Sequence, residues 1–157
     1  MAGAGFFSIH AAKLKFGSDG RWYADGELVT HERLARFFSR YVRPKLAGGY
    51  EIWFDQQYHA DVEVEDTPHV VTGVSSDPRS SQPGFVLHLN DGTSERLDPD
   101  TLEVGPGNVL YCRVKDGTER ARLLRPAYYQ LAYYIEEAGG GQFRLRCGDT
   151  THPIARG

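Results

Sequence analysis

Several things are scarce in this sequence of 157 residues, and each scarcity narrows the field. There are only two cysteines, Cys112 and Cys147. They stand far apart and form neither a disulfide framework nor a zinc-knuckle spacing, which fits a reducing compartment. No apolar run approaches the roughly 18 residues of a membrane span. The N-terminal stretch MAGAGFFSIHAAKLKF lacks the basic and long apolar regions of a signal peptide, so a cytoplasmic protein is expected. Basic residues are not in excess: the formal net charge is -3, which argues against nucleic acid as the partner. No Gly-rich phosphate loop, nucleophile elbow or helical pair of histidines four apart occurs. Gly3-Ala4-Gly5 is too short for a dinucleotide site. No cofactor is expected, and the missing motifs lean away from an enzyme.

Glycine is plentiful, with 18 residues, and much of it sits in turn dipeptides. Asp19-Gly20, Asp25-Gly26, Asn90-Asp91-Gly92 and Asp116-Gly117 supply the positive φ angles that hairpins need. Between them apolar residues alternate. Tyr58, Ala60, Val62 and Val64 interleave with acidic residues, as do Phe85/Leu87/Leu89, Leu110/Cys112/Val114 and Phe143/Leu145/Cys147 with polar ones. That period of two predicts strands with one buried face. The corner Asp66-Thr67-Pro68 ends the first of these, because proline removes a donor and pushes Thr67 out of the helical region. The polar stretch over 77–84 is a loop, and residues 1–11 form a loose arm.

Two segments carry helical spacing instead. Leu34, Phe37, Phe38 and Tyr41 recur at i, i+3, i+4, i+7, with Thr30 as a candidate N-cap and Pro44 as the stop. Tyr128, Leu131, Ala132 and Ile135 repeat the pattern after Pro126, with Gly139-Gly140-Gly141 as the stop. The expected fold class is therefore α+β, with two helices packed on antiparallel, hairpin-rich sheets in one domain over 1–157. Residues 14–65 and 110–154 share the order hairpin, helix, glycines, hairpin. This suggests a duplicated unit joined by β-rich 66–109, although any α+β domain with two helices would show a similar order.

With these pieces in hand the chain resembles the bacterial domain-of-unknown-function family DUF1285. The residues that carry the resemblance are Asp19-Gly20-Arg21-Trp22-Tyr23, Asp25-Gly26, Phe37-Phe38, Gly49-Tyr50 and Val64-Glu65-Asp66-Thr67-Pro68. Ala121-Arg122-Leu123-Leu124-Arg125 before Tyr128-Tyr129 completes the set. The resemblance implies a cytosolic α+β protein with repeated structural motifs and a role in signalling, and it supplies no catalytic residues. His69 stands where the family pattern calls for an aromatic residue.

Four clusters are candidate sites. Arg33, Arg36, Arg40 and Arg43 are spaced 3, 4, 3 and so share a helix face opposite the aromatic stripe, with guanidinium forks suited to carboxylate or phosphate. Arg113 and Lys115 on one arm of a hairpin, with Arg120 and Arg122 on the other, followed by Arg125, form an anion patch if both arms project to one side; opposite sides are the favoured expectation. Tyr129 and Tyr133 lie one helical turn apart as interface anchors, or as the wide edge of the core. His59, Asp61, Glu63 and Glu65, with Asp66 at the corner, offer oxygen and imidazole ligands for Mg²⁺ or Mn²⁺, or an ordinary solvated strand face.

The expected function is a non-enzymatic binding or regulatory module for an anionic small molecule or a protein partner. A metal-assisted hydrolase built on the acidic strand is one rival. A homo-oligomeric structural protein is another.

Overall fold

The alternation around Val62 does make a strand, and it lies inside a sheet. The structure is a computed structural model that describes residues 12–77 and 81–157. The expected arm over 1–11 and part of the expected loop lie outside them. The chain divides into two compact units, Met1–Pro68 and His69–Gly157.

The first unit is one six-stranded sheet with a helix. Its elements run β1 (Leu14–Phe16), β2 (Trp22–Ala24), β3 (Glu27–Leu28), α1 (Glu32–Tyr41), β4 (Val42–Pro44), β5 (Tyr50–Trp53) and β6 (His59–Val64). The sheet order is β3-β2-β1-β6-β5-β4. The two hairpins join at β1 and β6, which run parallel, with Leu14 opposite Val62. Asp25 and Gly26 adopt φ of 50° and 82°, the two left-handed residues that a tight hairpin turn requires. On the buried side Phe16, Trp22 and Phe38 pack ring to ring, with centroids 4.9 and 5.3 Å apart. Each such buried side chain contributes roughly 1.5–3 kcal/mol.

The second unit begins with β7 (His69–Ser76), β8 (Phe85–Leu89) and β9 (Ser94–Arg96). A 3-10 turn over Pro99–Thr101 leads to β10 (Glu103–Val104), then β11 (Leu110–Val114) and β12 (Glu119–Leu123). Next come α2 (Arg125–Ala132), β13 (Ile135–Gly139), β14 (Gln142–Cys147), β15 (Thr150–Pro153) and β16 (Ala155–Arg156). Seven strands form one sheet in the order β16-β10-β11-β12-β7-β8-β9, and β13-β14-β15 form a separate meander. Val71, Val74, Leu87, Cys112, Val114 and Leu123 from the sheet share one core with Ala127 and Leu131 of α2 and Leu145 of the meander.

The fold is α+β, as expected, but several local expectations need correction. The sheets are mixed: β1/β6, β12/β7 and β10/β16 are parallel pairs. Residues 66–109 are more than a connection, since β7 to β10 are four of the seven strands in the second sheet. The order hairpin, helix, three-strand meander occurs in both units, but its pairing does not recur. In the first unit the meander joins the hairpin's sheet; in the second it stands apart.

The N-cap of α1 is His31, whose Nδ1 accepts the Leu34 amide at 3.2 Å, not Thr30. The second helix stops at Ala132, so Ile135 belongs to a strand. The three glycines, with φ of 92°, 62° and 76°, reverse β13 into β14 instead of ending a helix.

Candidate binding surfaces

Helix α1 turns by about 100° per residue, which decides what its outer face carries. Phe38 and Ser39 are its buried residues. Ser39 faces inward because its Oγ accepts the indole N–H of Trp22 at 2.9 Å. The side away from them presents Arg33, Arg36 and Arg40, all exposed, within an arc of about 60°. No ion pair joins any of the three to another described residue.

Phe37 and Tyr41 are half-buried and sit beside these arginines, not opposite them. Both contact Phe54, which is 41% exposed, with centroids 5.4 and 5.2 Å away. The expected four-arginine face is thus a three-arginine face bordering an aromatic triad. Arg43 has left it: the helix ends at Tyr41, and Arg43 lies on β4. There it donates to Glu51 at 3.0 Å and stacks over Trp53 at 4.4 Å.

The acidic residues of β6 do share one exposed face, and lysines meet them there. Asp61 accepts from Lys45 at 2.9 Å. Glu65 accepts the Ser18 amide and pairs with Lys15 at 3.4 Å, which together hold its carboxyl below the usual range. His59 stacks on Trp53 with centroids 4.6 Å apart. Glu63 is exposed and lies opposite Lys15, and Asp66 is partly buried at the corner. Among the described residues, no three His, Cys, Asp or Glu side chains gather as a metal site needs.

The hairpin β11–β12 departs from expectation. Arg113 pairs directly with Arg120, and Tyr111 with Arg122, so both arms present their arginines to the same side. Cys112, Val114, Ala121 and Leu123 occupy the buried side. Arg120 is already committed: it lies over the Tyr111 ring at 3.7 Å and pairs with Glu103 at 2.7 Å. Lys115 turns away in the hairpin loop, with φ of 55°, and binds buried Asp91 at 2.6 Å. Arg125 opens α2 and is exposed.

Tyr129 and Tyr133 are 66% and 85% exposed, so they do not form the edge of the core. Tyr133 meets Tyr134 edge-on at 5.2 Å, and Tyr134 leans on Phe85 at 4.8 Å.

Two features escaped sequence reasoning. One is the apolar trough beside α2, lined in part by Tyr128, Ile135, Phe143 and Ile154. The other is a polar hollow where His152 Nδ1 meets Asp100 Oδ1 at 3.0 Å. Cys147 also lines that hollow, but burial raises its thiol pKa, against the needs of a nucleophile. Both join segments far apart in the chain, and only the alternation of Phe143, Leu145 and Cys147 hinted at either.

No family model matches the sequence, and no curated protein does. Solved structures do. A DUF1285 family protein from Silicibacter pomeroyi DSS-3 aligns with a TM-score of 0.69 over 91% of this chain and 79% of its own, at 17% identity. A second DUF1285 family protein, from Shewanella baltica OS155, aligns with a TM-score of 0.60 over 79% of this chain and 93% of its own, at 16% identity. The chain shares the fold of these two DUF1285 family proteins. At these identities the likeness extends to the fold alone.

Proposed function

We propose that this protein is a non-enzymatic binding module that docks an acidic protein segment on the outer face of α1. One observation carries the reading: Arg33, Arg36 and Arg40 are exposed without an ion pair among the described residues, beside the Phe37–Tyr41–Phe54 triad. Arginine and aromatic residues are the types enriched where protein interfaces concentrate their binding energy. The guanidinium groups supply bidentate donors for carboxylates, and Phe54, beside them with Phe37 and Tyr41, offers an apolar contact.

A protein segment suits this face better than nucleic acid. With a net charge of -3 the chain repels a long polyanion along its whole length, whereas a short acidic segment needs only the local arginine face. The triad rings also pack on one another, whereas bases stack on open ring faces.

The test is fluorescence anisotropy with a labelled peptide rich in Asp and Glu around one central leucine, alongside a single-stranded oligonucleotide. The peptide is expected to bind, to weaken with added salt, and to lose at least tenfold affinity in the R36E/R40E double variant. Equal binding by the variant, or binding of the oligonucleotide alone, overturns the proposal.

A further inference from the structure

We infer that the second unit carries a groove for a small amphipathic carboxylate. Helix α2, the meander β13–β15 and the strands β10 and β16 leave a trough between them. Its larger lobe has a volume of about 470 Å³ and its smaller lobe about 340 Å³. Val104, Phe143, Ile154 and Arg156 line both lobes, which makes them one continuous feature. These volumes fall in the range of about 300–1,000 Å³ that small-molecule sites occupy.

The floor is apolar. Leu110 and Ile154 are buried, and Tyr128 and Ile135 are half-buried along the sides. Phe143, at 38% exposure, presents a ring to both lobes. Such walls take an alkyl or aryl body.

The charge of the walls selects the head group. The only ionisable side chain among the described lining residues that carries a charge at neutral pH is Arg156; the remaining polar ones include the neutral amides of Asn108 and Gln142. The Arg156 guanidinium reaches from β16 to the carbonyl oxygen of Gly141 in the β13–β14 turn, at 3.1 Å. That is a cation resting on a neutral acceptor. A ligand carboxylate accepting two N–H groups in its place forms a stronger, charge-assisted pair. One cation balances one carboxylate, so a phosphate dianion or a nucleotide would leave charge unmatched in an apolar wall.

The groove lies wholly within the second unit, so this inference stands or falls apart from the α1 docking surface. The experiment is calorimetric titration of the full chain with decanoate, below its micelle threshold. Decanol and decyltrimethylammonium are the controls with the same alkyl body. Saturable decanoate binding is expected, at least tenfold tighter than decanol, with no binding of the cation. In R156Q, decanoate affinity is expected to fall to that of decanol, while decanol binding is unchanged. In A132W, which fills the larger lobe, both are lost. The inference is overturned if decanoate shows no saturable binding, if decanol binds as well as decanoate, or if folded R156Q keeps wild-type decanoate affinity. If a variant fails to fold, the comparison of the three ligands on the wild-type chain decides alone.

Discussion

His69 shows how one position can set a response to acid. It opens β7, is only 5% exposed, and its pKa is lowered to about 4, first by burial and then by the nearby Lys115 charge. Asp91 opposes that shift, but its carboxylate is already bound to Lys115 and Thr93. The folded state therefore holds His69 neutral, while the unfolded chain protonates it near its ordinary value of 6.5. Stability from this residue is complete above that value and is lost as pH falls from about 6.5 towards 4, by roughly 3 kcal/mol at most. Chemical denaturation at a series of pH values should show that loss in the wild-type chain, and H69F should lose less over the same window. An unchanged profile in folded H69F would remove His69 as the cause. The sequence marked this position only through the resemblance, which implies an aromatic there. The burial and the Lys115 neighbour become visible only once β7 and the β11–β12 turn meet.

At the scale of elements, the contact between α1 and β2 fixes which face the first helix shows to solvent. The indole N–H of Trp22, 1% exposed, has Ser39 Oγ as its acceptor. Removing that acceptor leaves a buried donor unsatisfied, so S39A should cost about 1–3 kcal/mol in urea denaturation. The double variant W22F/S39A should cost less than the two single changes added together. Additive losses would mean that the hydrogen bond does not orient the helix. This joint also explains what was legible. Strands, turn glycines and both helices follow from local periodicity and were open to sequence reasoning. The buried arc of α1 was not, because a serine rarely marks a core position and the aromatic stripe is wider than the face it buries. The end of α2 was missed for a related reason. Ile135 keeps helical spacing with Leu131, yet it pairs with Leu145 across β13 and β14, and Glu136 then meets Arg144 and Arg146 at 2.7 and 2.8 Å.

At the scale of the molecule, the parts that carry the proposed function come from segments distant in sequence. The parallel pairings β1/β6 and β12/β7 bring strands together over long separations, and no periodicity announces them. Phe54 joins Phe37 and Tyr41 only after β5 has returned along β4. The trough needs β10, α2, β14 and β16 at once. The arginines of α1 were legible as a cluster, their aromatic neighbours only in part, and the groove not at all. The proposed docking surface is the outer face of α1. Its most direct test is a two-dimensional ¹H–¹⁵N NMR titration of the wild-type chain with the acidic, leucine-centred peptide. Docking at α1 predicts saturable shifts concentrated on residues 32–41 and Phe54. Shifts confined to residues of the second unit, or none at peptide concentrations that saturate the anisotropy signal, would contradict it.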